Sequence, residues 1–431
     1  MELLIIAGGK GSRLGLKDIP KPMVPVAGVP LLERQINLAH RYGFDKIRLL
    51  VGHLAHVIQD YFRDGASWNV EIKYTIEREP LGTAGAVKQL DGIINDYFMV
   101  MYGDVVLDMN LRRLAAFACK KEGIGTLVVH PNDHPYDSDL LEIDDEKAIT
   151  AFYPKPHEES CDFQNLVSAA LYVLNPNIFQ FIQADEPQDF GRDVFPRLIA
   201  SGEKLFAYKT SEYIKDSGTP QRLDEVGKDL QSGKISARNI DNKQCALFLD
   251  RDGVINTEVG PVLKKEDFSL AENAAAAVKL INKSRYLAII VTNQAALSKG
   301  FMSFEDLRAI HKKMESLLGK SGAFIDGLYF CPHYPESGYE GEVTELKIDC
   351  SCRKPKPGML EQAAEDFNID LAESYIIGDR LSDCETGKNA GVKATILLSD
   401  HDRIANNKER NCSFSFKTLK DAVSAIVEGK I

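Results

Sequence analysis

Short apolar runs alternate along the chain with longer amphipathic stretches. Leu3–Ala7, Ile47–Val51, Val70–Tyr74 and Phe98–Met101 read as strands, and Pro30–Arg41, Leu54–Phe62 and Thr83–Leu90 as the helices between them. This βαβα order predicts a parallel sheet with right-handed crossovers. The alternation breaks at a polar stretch from Asp229 to Gln244, which holds Ser232-Gly233-Lys234 and Asn239-Ile240-Asp241-Asn242. A second alternation follows, with strands at Ala246–Leu249, Leu287–Thr292 and Tyr375–Gly378 and helices at Glu272–Asn282 and Phe304–Leu318. The expected fold class is α/β: two tandem Rossmann-like domains with mainly parallel sheets. Their expected bounds are 1–230 and 245–431, joined by a linker over 231–244.

At roughly 100–200 residues per domain, a chain of 431 residues suits two or three domains. With 44% apolar and 27% charged residues, each half can bury its own core. The net charge of −11 offers no global field to attract nucleic acid or anionic lipid. Any phosphate site must therefore be built locally, and neither nucleic acid nor membrane is an expected partner. No run of about 18 apolar residues occurs, and Met1–Ala7 is too short, and lacks the basic leader, for a signal peptide. Eight cysteines occur, three of them between Cys331 and Cys352. That crowding suggests metal ligation in a reducing compartment rather than a disulfide framework, so a cytoplasmic location is expected. Nothing in the sequence sets an oligomeric state.

After the first strand comes Gly8-Gly9-Lys10-Gly11-Ser12-Arg13-Leu14, where glycines let backbone N–H groups approach a triphosphate and Lys10 and Arg13 add charge. Pro20-Lys21-Pro22-Met23-Val24-Pro25 follows. The pair resembles the sugar-1-phosphate nucleotidyltransferases, and the resemblance covers about residues 2–225. It implies that Gly8, Gly9 and Gly11 cradle phosphates and that Arg13 and Lys21 handle them. Gly82 and Gly85, in Glu79-Pro80-Leu81-Gly82-Thr83-Ala84-Gly85, would contact a nucleobase. Asp104 and Asp216 would share a Mg²⁺, and Lys155 would hold a sugar 1-phosphate. The implied reaction needs no protein nucleophile: a sugar phosphate oxygen attacks the α-phosphorus of a nucleoside triphosphate and pyrophosphate leaves. Two segments depart from the family pattern. Pro154 stands where Glu is common, and Val167-Ser168-Ala169-Ala170-Leu171-Tyr172 replaces the usual N-A-G-I-Y form. The polar segment His130–Asp139 reads as an exposed loop.

In the second half, Phe248-Leu249-Asp250-Arg251-Asp252-Gly253 ends an apolar strand in D-x-D. The first carboxylate is suited to attack phosphorus, and the second to protonate the leaving oxygen and then activate water. Thr292-Asn293 ends another strand with a hydroxyl for a phosphate oxygen, and Arg353-Lys354 supplies cations. Gly378-Asp379-Arg380-Leu381-Ser382-Asp383 brings further carboxylates. Together these resemble the haloacid dehalogenase superfamily, with Asp250, Asp252 and Asp379 as expected Mg²⁺ ligands. Cys331, His333, Cys350 and Cys352 form a complete set for a structural Zn²⁺, closed and therefore not catalytic. The zinc loop makes the segment similar to heptose 1,7-bisphosphate phosphatases and to histidinol phosphatases, over about 245–400.

The fusion implies consecutive steps: loss of the 7-phosphate from a heptose bisphosphate, then coupling of the remaining 1-phosphate to a nucleotide. Enzymes resembling the first half in heptose pathways are guanylyltransferases, so GTP is the implied donor. Two other readings stand beside this one. The same reactions could act on another sugar phosphate, or the first half could be a nucleotide-sensing module that regulates the phosphatase.

Overall fold

Alternate side chains of the strand Glu2–Ile6 enter different cores, with Leu3 and Ile5 on one face of a sheet and Leu4 on the other. Phe98–Tyr102 repeats this, with Met99 and Met101 on the first face and Phe98 and Val100 on the second. A strand covered on both faces must be apolar throughout, which is why these segments read as runs. The nine-stranded sheet follows the order Ile149–Tyr153, Leu140–Ile143, Val167–Leu174, Phe98–Tyr102, Glu2–Ile6, Lys46–Val51, Glu71–Ile76. Gly125–His130 and Leu205–Lys209 pair off this path. Pairing from Phe98–Tyr102 through to Glu71–Ile76 is parallel, whereas Val167–Leu174 enters antiparallel. The helix Leu31–Arg41 buries Leu31, Leu32, Gln35, Ile36, Leu38 and Ala39, a stripe of helical period turned to the sheet.

A second sheet has six strands, all parallel, in the order Gly327–Cys331, Tyr286–Asn293, Cys245–Leu249, Tyr375–Gly378, Ala394–Leu398, Phe414–Phe416. Here too the faces alternate, with Leu247 and Leu249 in one core and Ala246 and Phe248 in the other. The strand that comes first in sequence lies inside the sheet, and the chain moves to opposite sides of it. That reversal opens a crevice at the carboxyl ends of the strands. The helix Phe304–Lys320 starts at a capping box in which Ser303 and Asp306 satisfy each other's amides.

This computed structural model describes residues 1–9, 11, 18–157, 161–258, 260–399 and 412–431. They form two units: Met1–His130, Asp137–His157 and Leu166–Asn239 in one, Pro131–Tyr136, Glu158–Asn165 and Ile240–Ile431 in the other. Within the second unit, the Phe163 amide donates to Ser316 Oγ at 2.9 Å and the Asn165 amide to Glu315 Oε2 at 2.6 Å. The stretch expected as a linker holds a short helix, Lys234–Ala237. Helix starts shift where a residue turns left-handed: Leu54 at φ 53° delays one helix to Ala55, and Asn273 at φ 62° delays another to Ala274. The three crowded cysteines, Cys331, Cys350 and Cys352, form no disulfide. A disulfide instead joins Cys384 and Cys412, 28 positions apart, a pairing that the sequence reading did not anticipate. Among the described residues no helix is long and apolar enough to cross a membrane.

Candidate active sites

In the second unit the chemistry collects where strands end. Asp250 follows Cys245–Leu249, Thr292 and Asn293 close Tyr286–Asn293, and Asp379 follows Tyr375–Gly378. Parallel pairing puts these ends at one edge of the sheet. Lys354 Nζ bridges Asp250 Oδ1 at 2.9 Å and Asp383 Oδ1 at 2.6 Å and donates to Val291 O at 3.0 Å. Its backbone is clamped by Asn293, whose Oδ1 accepts from Lys354 N and whose Nδ2 donates to Lys354 O, both at 3.1 Å. Burial works against the Lys354 charge, but Asp250 and Asp383 outweigh it and hold the ammonium above its ordinary value.

Carboxylate oxygens of Asp250, Asp379 and Asp383 lie within 4.8 Å of one another. Burial pushes Asp250 up to about 7 against the pull of Lys354, with Asp383 adding repulsion. Burial and then Asp383 raise Asp379 to about 6. Asp379 Oδ1 is buried with no hydrogen-bond partner. Three crowded carboxylates, one ammonium and an orphaned oxygen fit a divalent cation, and an all-oxygen set suits Mg²⁺. Gly253, at φ 80°, makes the close approach possible, since a Cβ there would lie 2.5 Å from Asp379 Oδ2.

Asp252 was expected among the ligands, but the crowded trio holds Asp383 in its place. The Asp252 oxygens are gripped by Arg251 Nη2, at 2.9 Å each, and Asp252 Oδ2 also accepts from Gln294 Nε2 at 3.0 Å. Gln294 Nε2 also donates to Thr292 Oγ1 at 2.9 Å, tying the hydroxyl to the acid. Arg251 is fully buried. Arg353, expected at the phosphate, instead donates to His333 O at 3.2 Å and lies over the Tyr334 ring, 4.8 Å from its centroid. It braces the cysteine loop.

In that loop the sulfurs of Cys331, Cys350 and Cys352 are 3.2–3.5 Å apart. His333 Nδ1 is 3.3 Å from Cys352 Sγ and 3.7 Å from Cys331 Sγ. Zn–S bonds of about 2.3 Å make a tetrahedron with edges of about 3.8 Å, so the four donors are close to ligating spacing. Burial lowers the His333 imidazole, leaving a neutral nitrogen free to coordinate. Burial also pushes the Cys331 thiol up, so its thiolate needs a cation beside it.

The first unit's site is more open. Asp104 precedes Val105–Asp108, and Asp216 ends Tyr213–Asp216; these strands pair antiparallel with Asp216 opposite Val105. Ser217 reaches Asp104 O from its amide at 3.1 Å and from its hydroxyl at 2.5 Å. Lys21, in the single turn Lys21–Met23, pairs with Asp104. A Cβ on Gly218 would lie 2.8 Å from Asp216 Oδ1 and 3.4 Å from Lys21 Nζ, so these groups share one small space. Arg222 pairs with Asp216 and reaches Asp137 Oδ2 at 3.4 Å. Lys155 Nζ lies 3.9 Å from Asp137 Oδ1 and donates to Asp137 O at 3.0 Å. Asp137 and Arg222 thus link Lys155 to Asp216. The sequence reading assigned neither, and its one signal was the density of polar groups around Asp137.

Arg13 lies outside the described residues. Gly8 packs on Glu77, where a Cβ would come within 2.3 Å of Oε2, and burial raises the Glu77 carboxyl. Gly11 lies against Lys21 Cβ, and a Cβ on Gly9 would meet none of the described residues. Gly82, at φ 72°, leaves no room for a Cβ, which would sit 2.5 Å from Gln188 O; at Gly85 it would sit 2.9 Å from Glu186 O. Gln188 O accepts from Ala84 N at 2.9 Å and Gly85 N at 3.3 Å, so the close approach of these strands of backbone is itself a reason for glycine here. Ala170, where the nucleotidyltransferase pattern has Gly, adopts φ 53° at an irregularity in Val167–Leu174.

The profile of the Nucleotidyl transferase family matches residues 2–233, and that of the HAD-hydrolase-like family residues 351–422. The chain is 38% identical over 179 residues to the D-glycero-beta-D-manno-heptose-1,7-bisphosphate 7-phosphatase of Haemophilus ducreyi, covering 41% of this chain and 96% of that one. To the D-glycero-alpha-D-manno-heptose-1,7-bisphosphate 7-phosphatase of Burkholderia mallei it is 41% identical over 160 residues, covering 37% of this chain and 82% of that one. To the UTP–glucose-1-phosphate uridylyltransferase of Synechocystis it is 31% identical over 223 residues, covering 48% of this chain and 57% of that one.

Proposed function

Because the chain belongs to the nucleotidyl transferase family, and its second unit to that of the heptose-bisphosphate phosphatases, we propose that it performs two consecutive steps on one heptose. The second unit removes the 7-phosphate of D-glycero-D-manno-heptose 1,7-bisphosphate. The first then couples the heptose 1-phosphate to a nucleotide and releases pyrophosphate. The observation that carries this is the buried Lys354 bridge between Asp250 and Asp383, set in a unit that spans nearly the whole of a heptose phosphatase. GTP is the proposed donor and the α anomer the proposed substrate. Their support is the pairing of the halves, since heptose-pathway enzymes resembling the first half are guanylyltransferases. The relatives of the second unit carry both anomers in their names. The proposed setting is the cytoplasm, where nucleoside triphosphates are made.

In the phosphatase step the Asp250 carboxylate attacks phosphorus, the bond from phosphorus to the sugar oxygen breaks, and Asp252 gives that oxygen its proton. Water then attacks the aspartyl phosphate, yields a proton to Asp252 and frees phosphate. Lys354 and the Thr292 hydroxyl hold phosphate oxygens, while Arg251 and Gln294 fix the acid. A Mg²⁺ held by Asp250, Asp379 and Asp383 would neutralise charge on the phosphoryl group. In the transfer step Lys21 steadies phosphate oxygens and Lys155 orients the sugar 1-phosphate, whose oxygen attacks the α-phosphorus as pyrophosphate departs. Asp104 and Asp216 would hold the cation there, and Arg13 keeps its phosphate role on its motif alone. Zn²⁺ on Cys331, His333, Cys350 and Cys352 would be structural, because four protein ligands leave no open position.

The test incubates the purified protein with Mg²⁺, each anomer of the bisphosphate and each of the four nucleoside triphosphates. Free phosphate and nucleotide-activated heptose are then measured by mass spectrometry. Activated heptose formed mainly from GTP and the α anomer is the expected result. Phosphate release without any activated sugar would remove heptosyl transfer, and nucleotide binding without pyrophosphate would favour the sensing module. Metal analysis should find one zinc per chain, and its absence would remove the structural zinc.

A further inference from the structure

Asp137 belongs to the polar segment that sequence reasoning left without a task. Its carboxylate is 71% exposed yet faces two cations, Lys155 Nζ at 3.9 Å and Arg222 Nη2 at 3.4 Å. Charge-assisted bonds normally close to about 2.7–2.9 Å, so neither cation is fully engaged there. Arg222 commits its other terminal nitrogen to Asp216, one of the two carboxylates assigned to Mg²⁺. One exposed carboxylate therefore stands between the lysine assigned to the sugar 1-phosphate and the arginine that covers a metal ligand. The backbone of Lys155 is pinned, its amide donating to Asp139 Oδ1 at 3.2 Å. A ligand at Lys155 is thus most easily met by movement of the ammonium rather than of the segment.

We propose that Asp137 couples the two halves of the transfer site. A sugar 1-phosphate draws Lys155 to itself and leaves Asp137 free to take Arg222 fully. As Arg222 leaves Asp216, that carboxylate is released to the cation that accompanies the nucleotide. No charge is stranded: Lys155 faces the phosphate, Arg222 faces Asp137, and Asp216 faces the divalent ion. Without Asp137, Arg222 loses the one carboxylate besides Asp216 that it reaches among the described residues, and the exchange would lose its partner. Linkage makes the effect reciprocal, so metal–nucleotide tightens sugar phosphate by the same factor. This rests on the nucleotidyl-transfer reading and adds to it a positioning residue and a cooperative order.

The test reads binding rather than turnover. Calorimetry measures the affinity of the full-length protein for Mg²⁺ with α,β-methylene GTP, which cannot transfer its nucleotide. Titrations run with and without saturating D-glycero-α-D-manno-heptose 1-phosphate. Wild type should bind the nucleotide about fivefold or more tighter with the sugar present, the lower end of ordinary coupling. Asp137→Asn should lose that difference while still binding each ligand alone, and Asp137→Glu should restore it. Coupling that survives in Asp137→Asn, or its absence from wild type that binds both ligands, would overturn the proposal. Wild type that binds neither ligand would bring down the nucleotidyl-transfer reading, and this inference with it.

Discussion

Lys354 and Lys21 each pair with an aspartate beside a strand end, Asp250 and Asp104, but in different surroundings. Lys354 has 3% of its side chain exposed and its partner Asp383 1%, whereas Lys21 has 16% and Asp104 32%. Around Lys21 the network loosens further, through Asp216 at 43% and Lys155 at 46%. In the buried site the partners are fixed, because any unpaired charge there would lack both a counterion and water. In the open site water can substitute for a partner, so pairs can be exchanged at small cost. One arrangement suits a nucleophile that must stay aligned, the other a site that assembles around two substrates.

The largest effects should show whether the sites are independent. Asp250→Asn should cut phosphate release by about four orders of magnitude or more, the scale of losing a nucleophile, while pyrophosphate release from GTP and ready-made heptose 1-phosphate persists. A fall in both would break the comparison at its root. Asp104→Asn should do the reverse, lowering pyrophosphate release by roughly 10²–10³-fold and sparing phosphate release. Normal pyrophosphate release would remove Asp104 from the metal site.

Smaller effects sharpen the role of burial. Lys354→Met should destabilise its unit by about 3–5 kcal/mol, because two buried carboxylates lose their cation. Lys21→Met should cost about 1 kcal/mol or less. Denaturant unfolding without added Mg²⁺ measures both, and equal losses would show that burial does not separate the sites. The smallest effect concerns His311, whose Nε2 lies 3.4 Å from Arg251 Nη1. Burial and then Arg251 hold its imidazole down to about 3, from 6.5. A depressed folded value means that this contribution is complete above about pH 6.5 and is lost as pH falls toward 3. The unfolding midpoint of wild type should therefore drop relative to His311→Phe between pH 7 and pH 5. That difference isolates the imidazole from Asp250 and Asp379, whose raised carboxyls act with the opposite sign.

How much was legible in the sequence followed the same divide. Asp250, Thr292 and Asp379 sit directly at strand ends, and an apolar run followed by a carboxylate or hydroxyl announces such a place. Cys331, His333, Cys350 and Cys352 were readable because thiols and an imidazole at short spacing have few other uses. Asp383 was quoted within its motif but passed over for Asp252, because only the path of the helix Leu381–Ala390 brings it onto Lys354. Asp137 and Arg222 come from distant polar segments, and such acids and bases look like ordinary surface until folding brings them together. Gly82 and Gly85 were noticed, but the backbone of Glu186 and Gln188 that crowds them is invisible in sequence. Cys384 and Cys412 carried no spacing signal at all.

The sixteen residues between His333 and Cys350 contain none of the groups assigned to catalysis, yet both ends of the loop are gathered into one cluster of metal-type ligands. The groups assigned to catalysis and the loop held by the metal-type ligands are thereby written on separate stretches of chain. The strand ends hold the groups assigned to the reaction, while the loop holds none of them. A change of length or sequence within this tethered loop thus leaves the groups assigned to breaking a phosphate ester on their own elements.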